Sequence, residues 1–265
     1  MKISASITQQ YLDELFFKTA EAGSLDDLEL LLAQGANPKV RNSLPLRLAA
    51  KKGHADCVKF LIPVSDPTAQ NSFALQLAVD GNRLECARLL IPVSNPAADR
   101  SRALRIAAMN GHAECAALLI PLSYPMDQSS VALRLASSGG HLECVKLLIP
   151  VSDHAAHNFH ALRTACENGH VECASLLIEL CPLLSDPRAF YAAIKDGEAT
   201  AAAFMLEREP RLASLVDLPS LIESSSARGH VQLRSLLSAI HDKHILSACS
   251  PSPEVFNNRA SSSRL

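Results

Sequence analysis

Cys57, Cys86, Cys115, Cys144 and Cys173 stand 29 residues apart, and the same block of sequence surrounds each of them. The stretches KKGHADCVKFLIPVSDP, VDGNRLECARLLIPVSNP, MNGHAECAALLIPLSYP and SGGHLECVKLLIPVSD are copies of one another, and ENGHVECASLLIEL is a fifth. A second short block precedes each one: LPLRLAA, FALQLAV, RALRIAA, VALRLAS and HALRTAC. Chance does not generate five registers of this length. An internal period between about 20 and 50 residues restricts a chain to solenoids, propellers or arrays.

Helical spacing decides between these. In the first copy Leu46, Leu48 and Ala49 precede Gly53, and Val58, Leu61 and Ile62 follow it at intervals of three and four. Gly53 suits the end of a first helix, where positive φ is wanted. Pro63 stops a second helix, and Asp66-Pro67 opens a turn. The pattern predicts a short helix, a tight turn, a longer helix and an extended loop. One such hairpin cannot bury its apolar face alone, whereas stacked copies share a continuous core.

The blocks resemble a known family. GHxEC-x2-LLI is similar to the second-helix signature of ankyrin repeats, and [AP]-L-[RQ]-[LIT]-A to their T-P-L-H-x-A first-helix signature. The stretch from Ala22 through LELLLAQGANP (Leu28 to Pro38) resembles a complete ankyrin ending. The resemblance implies an all-α, ankyrin-like α-solenoid of stacked helix-turn-helix repeats with shortened β-hairpin loops. The loops are expected to be short because the period falls below the family's usual value of about 33. The His of the family motif is replaced by Arg47, Gln76, Arg105, Arg134 and Arg163.

Residues 1–7 read as an N-terminal extension and 8–243 as a solenoid of about eight repeats, with divergent caps. The rhythm breaks near 179–187, where Ser185-Asp186-Pro187 arrives late after Cys173. Thr8 to Ala22 is expected to form the first helix of the N-terminal cap and Leu233 to Ile240 part of the C-terminal one. Residues 244–265 are Ser- and Pro-rich and are expected to be disordered.

Apolar residues make up 48% of the chain but aromatics only 4%, so the core must be built from Leu, Ala, Ile and Val. A net charge of −2 points to neither nucleic acid nor an anionic membrane. No apolar run approaches the roughly 18 residues of a membrane span, and the start lacks a secretory apolar segment.

Three columns of residues could carry chemistry. Equivalent atoms in stacked helices lie about 8–10 Å apart, too far for the cysteines to form a disulfide or share a metal. They read as small buried apolar groups, and unbridged thiols favour a reducing compartment. The histidines His54, His112, His141, His170 and His230 follow the turn glycines and are expected to bond neighbouring backbone. For Arg47, Arg105, Arg134 and Arg163 two roles stay open: bonding the carbonyls of the adjoining loop, or forming a basic stripe for an acidic partner.

The resemblance also implies a binding face, made by the last turn of each first helix and the loops. Its helix positions here are Lys51, Lys52, Asp80, Met109, Asn110, Ser138, Glu167, Asn168, Lys195, Asp196 and Arg228. Its loop positions are Gln70, Asn71, Arg100, Ser101, Gln128, Ser129, His157, Asn158 and Phe159. They vary between copies while the scaffold barely changes. Phosphate loops, nucleophile elbows and H-E-x-x-H motifs are absent, and neither cofactor, metal nor small-molecule substrate is expected. The chain is therefore expected to dock or sequester another protein, and not to be an enzyme. Two variants stay open: a regulatory or substrate-recruiting subunit of an enzyme on another chain, and a bacterial effector in host cytosol. The expected location is cytoplasmic, with a nuclear site or delivery into a host cell also open.

Overall fold

The computed structural model describes residues 2–181 and 183–249. Among these residues there is no β-strand, and no helix is long and apolar enough to cross a membrane. The chain divides after Leu180 into two compact units.

The first unit is built from antiparallel pairs: α1 (Lys2–Ala22) with α2 (Leu25–Ala33), α3 (Val40–Lys52) with α4 (Ala55–Leu61), and α5 (Ala69–Asp80) with α6 (Leu84–Leu90). Then follow α7 (Ala98–Asn110) with α8 (Ala113–Leu119), α9 (Asp127–Ser138) with α10 (Leu142–Leu148), and α11 (Ala156–Glu167) with α12 (Val171–Ile178). Each first helix packs on the first helix of the next pair, and from α2 to α12 the second helices do the same. Leu46, Leu75, Leu104 and Leu133 of the first helices are fully buried, as are Leu61, Leu90, Leu119 and Leu148 of the second. Burying each such side chain contributes about 1.5–3 kcal/mol.

The second helix is not the longer one as expected: α3 is right-handed over 44–52, about the length of α4 with the 3₁₀ turn that follows it. Helices α4, α6, α8 and α10 have seven residues each, and each runs on into a 3₁₀ turn, as at Ile62–Val64. The cause is Pro63 and its equivalents Pro92, Pro121 and Pro150, which lack the N–H that would continue the α-helical ladder. The connection that follows is not extended either. Arg41, Asn42 and Ser43 all lie in the left-handed region, with φ of 49, 59 and 57°, and the same three-residue turn recurs at 70–72, 99–101, 128–130 and 157–159. Pro45 thus sits in the first right-handed turn of α3, where a missing N–H costs little.

Left-handed backbone costs about 1–2 kcal/mol per non-glycine residue, so these turns need support. Part of it comes from a buried serine that ends four of them. The hydroxyls of Ser43, Ser72, Ser101 and Ser130 accept the backbone N–H of Asp66, Asn95, Tyr124 and Asp153, at 2.8–2.9 Å. Each bond joins one repeat to the next. Ser101 and Phe159, expected among the exposed loop positions, are instead 2% and 3% exposed, because the third left-handed residue turns its side chain into the stack. Ser101→Ala leaves the Tyr124 N–H without its acceptor and should cost about 1–3 kcal/mol. A urea midpoint that does not move would show that the bond carries no net stability.

The second unit holds α13 (Arg188–Asp196) with α14 (Ala199–Arg208), the short α15 (Leu212–Leu215), and α16 (Leu218–Ala227) with α17 (Val231–Cys249). Asp217 caps α16 by accepting the N–H of Ser220. Helix α1 begins at Lys2, inside the segment expected as an extension, and α17 runs six residues past 243. Residues 250–265 of the expected tail lie outside the described residues.

Candidate functional site

The turns between first and second helices form a row, and glycine and histidine together hold it in line. Gly111 has φ +75° and a Cβ there would lie 2.5 Å from His141 Nδ1; Gly23 meets His54, Gly140 meets His170 and Gly197 meets His230 in the same way. Each ring of the first unit also reaches back one repeat. His54 Nε2 lies 3.0 Å from the Glu21 carbonyl, His112 3.2 Å from that of Asp80, His141 2.9 Å from that of Met109, and His170 3.0 Å from that of Ser138. A carbonyl oxygen only accepts, so each ring carries its proton on Nε2. Where Arg83 replaces histidine, its side chain packs on Gly53 and its Nε donates to the Lys51 carbonyl at 3.4 Å.

The ends of the first helices lie along this row. Lys51, Lys52, Asp80, Met109, Ser138, Glu167 and Asn168 are exposed and Asn110 is half-buried. Short links run between neighbours: Lys52 pairs with Glu21 at 3.2 Å, Asn110 donates to Asp80 at 3.0 Å, and Asn168 donates to the Ser138 carbonyl at 2.8 Å. The ridge is thus a mixed polar strip in which Met109 is the exposed apolar side chain, at 48%. Lys195, Asp196 and Arg228 are exposed on the second unit, where Arg228 donates to the Lys195 carbonyl at 2.9 Å.

The arginine column lies deeper. Arg47 donates from Nη2 to the Arg41 carbonyl at 2.7 Å and from Nη1 to the Gln70 side chain at 2.6 Å. Arg105 Nη2 reaches the Asp99 carbonyl at 3.0 Å, and Gln76 bonds the Asn71 carbonyl at 2.8 Å. All four acceptors belong to residues of left-handed turns, so these side chains clamp the strained loops. Arg134 is half-buried and Arg163 is buried at 5% exposure. The serine row that shares this task was missed by motif reasoning, although its 29-residue recurrence was there to be read.

Cys57, Cys86, Cys115, Cys144 and Cys173 are buried and unbridged. Burial pushes the Cys86 and Cys144 thiols up to about 11 and shifts those of Cys57, Cys115 and Cys173 in the same direction. Between about pH 9 and 11 the unfolded chain then releases thiol protons that the folded one retains, so stability is lost as pH rises through that window. The urea midpoint should fall from pH 8 to pH 10.5, and Cys86→Val with Cys144→Val should flatten the fall. An equal slope in both proteins would contradict the assignment. Among the described residues no group of three His, Cys, Asp or Glu is placed to hold a metal.

A family model described as ankyrin repeats, in three copies, matches residues 16–100 and 133–214. Among solved structures the chain is similar to the ankyrin repeat domain of human ASB11, at 22% identity and a TM-score of 0.57, covering 63% of this chain and 83% of that one. It is similar also to the ankyrin repeat domain of Bcl-3, described as a unique member of the IkappaB protein family, at 21% identity and a TM-score of 0.51, covering 62% and 84%. At these identities the likeness concerns the fold. No curated protein sequence matches significantly.

Proposed function

We propose a function from the premise that this chain belongs to the ankyrin-repeat family: it docks or sequesters another protein along the ridge of first-helix ends. Ankyrin repeat domains are protein–protein interaction modules and are typically non-catalytic. The observation that supports the ridge is its contrast with the scaffold. The glycine, histidine and leucine positions repeat almost unchanged, while Lys51, Asp80, Met109, Ser138 and Glu167 differ in charge and size from copy to copy and stay exposed. An invariant frame with a varied, outward-facing row is what recognition of one asymmetric partner requires.

The second unit contributes Lys195, Asp196 and Arg228 to the proposal as a separate patch. Arg47 and Arg105, clamped on the left-handed turns, act in it as supports, and Arg134 and Arg163 hold the equivalent positions of their repeats. The chain itself carries no chemistry in this reading and uses neither cofactor, nucleic acid nor membrane. Its buried, unbridged thiols suit a reducing compartment such as the cytosol.

The test is affinity purification with cross-linking mass spectrometry, comparing the wild type with a variant carrying Lys51→Ala, Asn110→Ala and Glu167→Ala. Partner cross-links to the first unit should be lost in the variant while its unfolding free energy in urea stays within about 0.5 kcal/mol of the parent. A partner bound equally by both proteins would refute the ridge. A partner whose own catalytic activity co-purifies would make the chain a recruiting subunit.

A further inference from the structure

Arg47 and Arg105 spend their guanidiniums inside the protein. Each gives Nη2 to the carbonyl of the first residue in its own left-handed turn, Arg41 or Asp99. Each gives Nη1 to the glutamine that opens the next turn, Gln70 or Gln128, 23 residues further on. Arg134 holds the same place in α9, yet among the described residues it makes neither a hydrogen bond nor an ion pair.

Both restraints have changed in this repeat. The residue that opens the next turn is His157, exposed, where a glutamine would have offered its side-chain oxygen to Arg134. The turn at 128–130 has also gained a support of its own. Asp127, where the other repeats have Val40, Ala69, Ala98 and Ala156, accepts the Gln128 N–H at 2.8 Å. A turn held from Asp127 does not need the arginine on its carbonyl, and the guanidinium is released.

Release leaves a cation whose donors face out. Arg134 is half-buried; its Nε is sealed from solvent without a partner while its Nη groups are not, so the stem is packed and the tip is open. The planar fork matches a carboxylate with two parallel N–H···O bonds, and a packed stem lowers the entropy lost in making them. A phosphate dianion would call for a second fixed cation. Neither neighbour in the column supplies one: Arg105 is spent on Asp99 and Gln128, and Arg163 is buried at 5% exposure.

We infer that Arg134, flanked by His157, is a binding site for a carboxylate, supplied by an acidic side chain or the chain terminus of a docked protein. The source of the carboxylate rests on the protein-binding reading above; the site does not rest on the ridge. Arg47 and Arg105 have no such function, because their forks are closed by the turns they hold.

The test is a titration of the full chain, isotope-labelled at arginine and followed through the Nε–Hε resonances. Acetyl-glutamate amide stands for an acidic side chain, acetyl-alanine for a chain terminus, and acetyl-glutamine amide for the uncharged control. At least one of the acids should shift the Arg134 resonance saturably, with a Kd of about 1–10 mM, and leave Arg47 and Arg105 unmoved. The double variant Asp127→Ala with His157→Gln restores the clamp of the other repeats. It should bind the acid at least roughly tenfold more weakly, with its melting temperature unchanged or raised. Because Asp127→Ala removes a negative charge, an unspecific attraction of anions would grow in the variant rather than fall. Absence of saturation, equal shifts at Arg47 or Arg105, an equal effect of acetyl-glutamine amide, or undiminished binding to the double variant would each overturn the inference. So would tighter binding of inorganic phosphate than of either acid. The titration uses no partner, so its outcome is independent of the affinity purification that tests the ridge.

Discussion

Replacing Leu119 by alanine is expected to destabilise the amino-terminal unit by about 2–5 kcal/mol. Leu119 is fully buried near the end of α8, a helix that packs on α7, α6 and α10. Truncation leaves a cavity that leucines of adjacent repeats cannot fill without shifting their own helices. Because each repeat is supported only by its neighbours, the damage should centre on the fourth repeat and weaken those beside it. Urea unfolding followed by far-UV circular dichroism measures the loss, and hydrogen exchange should show α6 to α10 opening first. Leu122→Ala is the control: at 47% exposure it should stay within about 0.5 kcal/mol of the parent. Equal effects at the two positions would mean that the register of the second helices is wrong.

Gly111→Ala is the second large effect, and its pairing with Gly169→Ala separates two causes. Both glycines have φ of +75°, but a Cβ at Gly169 meets nothing within 4 Å, whereas at Gly111 it lies 2.5 Å from the His141 ring. Backbone strain alone should cost about 1–2 kcal/mol at Gly169. At Gly111 the displaced imidazole adds about 1–3 kcal/mol of overpacking and breaks the His141 bond to the Met109 carbonyl. Adding His141→Ala to Gly111→Ala should recover the steric part and leave the strain together with the lost bond to the Met109 carbonyl. If the two glycine variants lose equal stability, the histidine rings do not set the spacing of the turns.

Much of this was legible in the sequence. Gly53 and Gly111 read as helix-ending glycines and both take positive φ. In the second copy Gly81 stays at φ −82°, and Asn82, 29 residues after Gly53, takes the positive φ of +52° in its place. Asparagine tolerates that conformation better than most side chains. The histidine column was read as bonding neighbouring backbone, and the carbonyls it reaches belong to the preceding repeat. The left-handed turns were not legible. Nothing in Arg-Asn-Ser or Asp-Arg-Ser announces three consecutive residues of positive φ, since their support comes from Arg47, Arg105 and buried serine hydroxyls placed by the stack.

The sequence alone determined the repeat, its helical filling, the leucine and alanine core and the burial of the cysteines. These follow from local periodicity and apolar patterning, which act over a few residues and survive in every copy. The tertiary structure alone decided how the loops turn and which polar side chains face inward. Those outcomes depend on bonds between residues 23 or 32 positions apart, such as Ser101 to Tyr124 and His141 to Met109, which exist only once neighbouring repeats are stacked.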